Sequence, residues 1–310
     1  MTASAALHVA VGVVRDQDGN ILLTQRAKHA HQGGLWEFPG GKLEANETVM
    51  QALQRELHEE VGITVQVAKP LIKIKHCYPD LQVLLDVWQV NHFQGRATAC
   101  EGQAMRWVAP KHLSQFQFPV ANVPIIAASR LPDRYAILEG SNAEEVLGNL
   151  QSMLNHQVSL LQLRLKSLPT SEIEAVQRAV LPICRQHKVT VLINSDLPFS
   201  EHLADGLHLS SRALMACENR PEHFEWVAAS CHNLQELKQA ELIGMDFVVL
   251  APVLPTSTHP NTTPLGWENL QSLIDQVNLP VFALGGLSLQ DIDRVIDAGG
   301  QGIAGISAFL

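Results

Sequence analysis

The sequence is short of cysteine, of net positive charge and of long apolar runs. Its five cysteines, Cys77, Cys100, Cys184, Cys217 and Cys231, are scattered, odd in number and never spaced as CxxC. That distribution argues against a disulfide framework or a thiolate zinc site and fits thiols kept reduced. Lysine and arginine number 22 against 31 aspartates and glutamates, a formal charge of −9. So acidic a chain lacks the field to hold a phosphate backbone. No stable nucleic-acid partner is expected, and any nucleotide it binds should be small. The opening MTASAALHVAVGVV has no basic segment ahead of its apolar run, which is too short to span a bilayer. A cytoplasmic protein without a membrane partner is the expectation. Internal repeats and low-complexity tracts are also missing. What is present, 46% hydrophobic residues in a chain of 310, is enough for about two cored domains.

The most informative stretch runs from Gly41 to Ile63. No Pro or Gly interrupts Thr48 to Val61, and apolar residues recur at Val49, Leu53, Leu57 and Val61, which predicts a helix. Gly62 supplies its stop. Neighbours on a helix lie three and four positions apart, so Glu56, Glu59 and Glu60 crowd their carboxylates onto one side. Their repulsion would weaken the helix alone, and a divalent cation removes the conflict. Hard oxygen ligands suit Mg²⁺, which keeps waters and binds substrate phosphates, with Mn²⁺ as an alternative.

Gly41, Glu47, Arg55-Glu56-Leu57, Glu59-Glu60 and Gly62-Ile63 fill every fixed position of the pattern that marks the Nudix family, which this stretch resembles. The resemblance implies an α+β Nudix fold, a mixed sheet between helices, over residues 1–131. It makes Glu56, Glu59 and Glu60 metal ligands, Arg55 the residue that orients them and Glu47 its supporting partner.

Around this stretch, Leu7–Val14 reads as a strand, Asp16–Gly19 as a hairpin turn and Ile21–Thr24 as the returning strand. Further strands are expected at Val65–Val67, Leu71–His76, Leu81–Val90 and Met105–Val108. The segment LLTQRAKHAHQGGLWEFPGGK resembles the substrate side of the MutT-type 8-oxo-dGTP diphosphatases within the Nudix family. Arg26, His31, Glu37, Phe38, Pro39 and Gly40 match positions that contact the nucleotide there, and the Gly40 carbonyl also reaches the metal. In the same family Glu101, within Glu101-Gly102-Gln103, matches a metal-binding or water-activating carboxylate, and Asn122, after Phe118-Pro119, matches the residue that reads the base. An amide offers both a donor and an acceptor. It could pair with N7–H and O6 of 8-oxoguanine together, whereas guanine presents a bare N7. A site built around such a bond can reject the analogue lacking it by about 10⁴–10⁵.

From Leu131-Pro132 onward the pattern changes. Eight short runs, Tyr135–Leu138, Leu160–Leu165, Val189–Ile193, Gly206–Leu209, Trp226–Ser230, Phe247–Ala251, Val281–Leu284 and Ile303–Ile306, alternate with amphipathic segments. That predicts an α/β TIM-type (β/α)₈ barrel over residues 132–310. Gln162-Leu163-Arg164-Leu165-Lys166, Asp205-Gly206-Leu207-His208, Ser230-Cys231-His232 and Gly285-Gly286 resemble motifs of the thiamine-phosphate synthase and thiazole tautomerase superfamily. The resemblance implies a phosphate-ligand site containing Arg164, Lys166, His232, Gly285, Gly286 and Ser307. His232 is expected to be structural, although it falls where the tautomerase has a catalytic histidine. The chain departs from the synthases at Asn194-Ser195, where the aspartate is displaced by one to Asp196, at Ala213, which replaces a second aspartate, and at Thr256-Ser257-Thr258-His259, where a lysine is lost. Without those carboxylates the metal for a pyrophosphate leaving group has no ligands.

The expected activity is Mg²⁺-dependent hydrolysis of an oxidised purine nucleoside triphosphate, 8-oxo-dGTP, to its monophosphate and pyrophosphate. Such a reaction cleans the nucleotide pool ahead of DNA replication and spares DNA repair. Glu56 and Glu101 both stand as candidates for the general base. The barrel is expected to be a degenerate domain for a phosphate-bearing ligand. The alternative is a Nudix enzyme acting on a thiamine-pathway diphosphate, with the barrel an active synthase or tautomerase.

Overall fold

A computed structural model describes residues 6–28, 32–79, 81–198, 204–256 and 262–310, so His31 and the run from Ser257 to His259 lie outside the described residues. The chain divides into two compact units, Met1–Arg130 and Leu131–Leu310. No helix among the described residues is long and apolar enough to cross a membrane.

The first unit contains β1 (Leu7–Val14), β2 (Ile21–Gln25), β3 (Trp36–Glu37), β4 (Gly40–Lys42), α1 (Val49–Val61), β5 (Thr64–Cys77), β6 (Gln82–Gln94), β7 (Met105–Val108) and α2 (Val123–Arg130). One sheet has the order β4-β1-β6-β5 and a smaller one the order β3-β2-β7. Strand β1 is parallel to β6 and antiparallel to β4, which makes the larger sheet mixed. Its apolar run is continuous because both faces are covered. Val11 and Val13 join one core with Phe38 and with Ile125 and Ala128 of α2. Ala10 and Val14 join another with Ala52, Leu53, Leu57 and Val61 of α1. Gly12 lets that helix approach, since a Cβ there would sit 2.9 Å from a Leu57 methyl.

Two expectations are corrected. The turn at Asp16–Gly19 forms, with Gly19 at φ 79° and the Asp16 carboxylate accepting from the Asp18 and Asn20 amides. The strands it joins do not zip into a hairpin, however. A single antiparallel bridge, Arg15 to Ile21, links them. Both edges of β1 are already taken by β4 and β6, so β2 pairs with β3 and β7 instead. Second, Val65–Val67 and Leu71–His76 belong to one long strand, β5, whose register against β6 shifts at three points between Val65 and Ile72. Pro70 is accommodated there because β5 is an edge strand, and bulges absorb its missing donor.

The second unit holds β8 (Arg134–Leu138), α3 (Ala143–Asn155), β9 (Leu160–Leu163), α4 (Thr170–Gln186), β10 (Thr190–Asn194), β11 (Gly206–Leu209), α5 (Ser211–Ala216), β12 (Trp226–Cys231), α6 (Leu234–Leu242), β13 (Phe247–Leu250), α7 (Gly266–Ile274), β14 (Val281–Leu284), α8 (Ile292–Asp297) and β15 (Gly302–Gly305). The eight strands are parallel and close into a barrel, β15 pairing with β8. Alternate strand residues such as Leu161, Val191, Val227 and Ile303 pack outward with helix residues Val146, Val180 and Leu237. The other set faces inward. There Tyr135, Phe247 and Phe282 meet with ring centroids 5.2–5.6 Å apart.

Leu57 is fully buried, whereas Leu242 of α6 is 80% exposed. Leu57→Ala should destabilise the first unit by about 2–5 kcal/mol, and Leu242→Ala should change stability by about 0.5 kcal/mol or less. Urea unfolding of the two variants checks the contrast.

Candidate active site

Helix α1 is fixed at both ends, which sets the angular position of its acids. The Thr48 hydroxyl accepts from the Gln51 amide at 3.3 Å, and the Gln51 side chain accepts from the Thr48 amide at 2.8 Å. At the other end Gly62 takes φ 70° and donates to His58, while the Ile63 amide donates to the Leu57 carbonyl.

Arg55 then gathers what surrounds it. Its Nε and one terminal nitrogen each donate to Glu47 at 2.8 Å. The other terminal nitrogen donates to Glu56 at 2.8 Å and to Glu59 at 3.2 Å. The guanidinium also donates to the Lys42 carbonyl at 3.0 Å, tying the helix to β4. Hydrogen bonds from Arg55 and from the Glu44 amide hold the Glu47 carboxyl down at about 2. The same carboxylates raise the Arg55 pKa.

Two glycines allow helix and strand to meet. A Cβ at Gly41 would lie 2.1–2.3 Å from the Glu56 carboxyl group, so that group rests directly on the strand. Gly40, at φ 150°, has no room for a Cβ either, because the Ala10 carbonyl would be 2.1 Å away. The Gly40 amide donates to Glu60 at 3.0 Å.

Glu60 is the strained acid of the set. Burial raises its pKa to about 8, and the charges of Glu37, Glu101 and Glu56 push the same way against the Gly40 hydrogen bond. The loop carrying Glu101 is tied to the end of α1: the Cys100 amide and the Gln103 side chain both donate to the Glu60 carbonyl, at 3.0 and 2.9 Å. A cleft of about 320 Å³ is lined by Arg26, Glu37, Glu60, Glu101 and Gln103. Arg26 is ion-paired with Glu37, whose pKa is nevertheless raised by burial.

The donor chemistry of Glu56, Glu60 and Glu101 fits a hard divalent cation: all are carboxylates, Glu56 and Glu101 both repel Glu60, and burial raises the Glu60 pKa further. The side chains are not drawn together at coordinating distance, for among the described residues no three His, Cys, Asp or Glu form a metal-holding group. Glu59 is 56% exposed and turned to Arg55 rather than into the cleft. Gly40 offers Glu60 its amide.

Beside the cleft lies a cavity of about 450 Å³ that shares Arg26, Glu37 and Glu60 with it and continues to Phe38, Gly40, Pro119 and Asn122. Phe38 stacks on Phe118 with centroids 5.5 Å apart. Asn122 is buried, and among the described residues no hydrogen bond ties up its side-chain amide. The far wall is Tyr78, Leu81, Val83 and Leu85, which sequence reasoning missed. The period-two spacing of Leu81, Val83 and Leu85 was the available signal for one face of a strand.

In the second unit a cavity of about 300 Å³ opens where the strands end, lined by Arg164, Lys166, Asn194, Ser230, His232 and Gly285 among others. Gly286 and Ser307 do not line it. Arg164 pairs with Glu139, and Lys166 reaches Asp196 at 3.0 Å. His232 is held to Glu236, the ring at 3.0 Å and the backbone amide at 2.7 Å, at the start of α6.

The elevated Glu60 pKa makes a sign-definite prediction. The folded state retains a proton that the unfolded chain, with an ordinary value of 4.5, releases as pH rises toward about 8. The stability that this group contributes is therefore full below pH 4.5 and is lost between 4.5 and 8. In chelator the urea midpoint of the first unit should decline across that window, and Glu60→Gln should flatten the decline.

Comparison with known proteins agrees with the two-part layout. A model of the NUDIX domain matches residues 10–128, and one described as thiamine monophosphate synthase matches residues 134–309, more than half the chain. The chain is 42% identical over 121 residues to the 8-oxo-dGTP diphosphatase of Escherichia coli (strain K12), covering 39% of this chain and 94% of that protein. It is 38% identical over 118 residues to the CTP pyrophosphohydrolase of the same organism, covering 38% and 87%. Over 173 residues it is 28% identical to the thiamine-phosphate synthase of Fusobacterium nucleatum subsp. nucleatum, covering 54% and 84%. The chain is thus a Nudix hydrolase through its first unit and belongs to the thiamine monophosphate synthase family through its second.

Proposed function

We propose that the first unit hydrolyses 8-oxo-dGTP to 8-oxo-dGMP and pyrophosphate, with Mg²⁺ as its metal. The observation that carries this reading is the buried Asn122 amide in a cavity shared with the carboxylate cleft. A base placed against Phe38 would meet that amide while its phosphates extend past Arg26 toward Glu60. The donor and the acceptor that Asn122 needs are present together on 8-oxoguanine, whereas guanine keeps O6 but lacks the N7–H.

Glu56, Glu60 and Glu101 are the residues that would hold the ion, with Glu59 reaching it only by leaving Arg55. When bound, Mg²⁺ supplies charge neutralisation for the phosphates and lowers the pKa of water. Arg55 orients the Glu56 carboxylate through a 2.8 Å hydrogen bond and is itself held by Glu47. Glu56 is assigned as the base that takes the water proton, because its position is fixed from both sides, by Arg55 and by Gly41. Glu101 lies on an exposed loop and is given the ligand role. Arg26, paired with Glu37, is positioned to meet a phosphate or the sugar.

The barrel is read as a phosphate-ligand domain without synthase turnover. Arg164 and Lys166 put positive charge at its cavity, and no Asp or Glu is among the described residues lining it. The carboxylates next to those cations, Glu139 and Asp196, are paired with Arg164 and Lys166 and do not line the cavity.

Glu56→Gln should lower kcat about 100-fold or more while leaving the thermal midpoint nearly unchanged; turnover near the wild-type rate would refute the assignment. The wild-type chain should favour 8-oxo-dGTP over dGTP, CTP and hydroxymethylpyrimidine diphosphate in kcat/KM. Asn122→Ala should cut its preference over dGTP about tenfold or more, the cost of leaving one buried polar partner unmet. Equal wild-type rates on dGTP and 8-oxo-dGTP would remove the role given to Asn122.

A further inference from the structure

Four polar side chains cross the interior of the barrel in series. The Tyr135 hydroxyl hydrogen bonds Gln162. It also lies 2.9 Å from His208 Nδ1, and His208 Nε2 lies 2.9 Å from Ser230 Oγ. Tyr135 and His208 are buried, with Phe247 and Phe282 packed on the tyrosine ring. Gln162 and Ser230, the two ends of the series, both line the cavity at the barrel mouth.

Two hydrogen placements satisfy these distances, because His208 can carry its hydrogen on either ring nitrogen. In one of them Gln162 turns its amide N–H to the phenol oxygen and donates to it. A phenol has one hydrogen, which then goes to His208 Nδ1. Burial, reinforced by the charges of Arg164 and Lys166, holds the imidazole pKa down to about 3, so the ring carries a single hydrogen. In this placement that hydrogen sits on Nε2 and is donated to Ser230 Oγ. The hydrogen of the serine itself is left for whatever occupies the cavity.

We propose that His208 is a positioning residue for the barrel cavity: held by Tyr135 in its Nε2–H tautomer, it makes Ser230 a one-way hydrogen-bond donor to an oxyanion recruited by Arg164 and Lys166. The proposal rests on reading the cavity as a phosphate-ligand site, but its first half can be measured with no ligand present. A histidine that merely filled space would be indifferent to tautomer and replaceable by an apolar ring.

The test uses the full chain. With histidines labelled with ¹⁵N, the His208 resonance is identified by its loss in His208→Gln. It should show the Nε2–H tautomer and no titration between pH 5 and 8; an Nδ1–H tautomer, or titration in that range, overturns the inference. Inorganic phosphate is then titrated calorimetrically in chelator, the barrel's share being the part abolished by Arg164→Ala. Ser230→Ala and His208→Phe should each weaken that share about tenfold, the loss of one hydrogen bond to a charged group. His208→Gln, which can still accept from Tyr135 and donate to Ser230, should stay within about twofold. Phosphate binding undiminished in His208→Phe sinks the positioning role. No Arg164-dependent binding in the wild type sinks the phosphate reading instead, and takes the Ser230 role with it even where the tautomer is as expected.

Discussion

The guanidinium of Arg55 is what makes the first unit's site possible. Glu47, Glu56 and Glu59 all turn to it, and it also donates to β4. Two like charges 4 Å apart near a protein surface repel by about 4 kcal/mol. A helix carrying Glu56, Glu59 and Glu60 within one turn and a half therefore needs a cation of its own. Arg55 offsets three of the acids in its reach and leaves the fourth. Glu60, buried among Glu37, Glu56 and Glu101, keeps a proton instead. The site is in this sense incomplete by one countercharge, and a divalent ion is the species that could displace that proton and satisfy several carboxylates together.

Backbone geometry explains why the same stretch needs glycines where it has them. Gly41 gives the Glu56 carboxyl group the space a Cβ would fill, and Gly40 lets β4 lie against Ala10 while its amide faces Glu60. Any side chain at either position would separate α1 from the sheet and move the acids off the cleft. The spacing between Gly41 and Glu56 is thus a statement about contact distance, not about flexibility.

How much of this was legible depended on range. The ends of α1 were written locally, in Thr48 and Gly62, and so were the barrel strands, whose apolar runs are short and evenly separated. Glu56, Glu60, Glu101, Phe38 and Asn122 were expected from resemblance; Glu60 and Glu101 line the cleft, Glu60, Phe38 and Asn122 line the adjoining cavity, and Glu56 lies within charge range of Glu60. What was not legible was decided by partners far along the chain. The hairpin between β1 and β2 failed because β6, dozens of residues later, holds the edge that β2 would have used. Glu59 was grouped with its neighbours by helical spacing and by resemblance, but an arginine at i−4 competes for it. Tyr78 became a cavity wall because the turn between β5 and β6 carries it to the Ala121 backbone, which periodicity on either strand cannot show.

On the functions proposed for them, the two units face the same problem, an anionic ligand, with opposite equipment. The first lines its cleft with acids, so a nucleoside triphosphate is repelled until a metal reverses the local sign. The second lines its cavity with Arg164, Lys166 and a polarised serine and has no carboxylate among the described lining residues. A phosphate can be held there without metal, but a departing pyrophosphate would lack the ion that ordinarily absorbs its charge. Membership of a synthase family fixes the barrel and the place where its cavity opens, not the reaction, because chemistry resides in the side chains grafted onto a fold. On that ground the first unit's affinity for phosphates should be conditional on a divalent ion, and the second's independent of it.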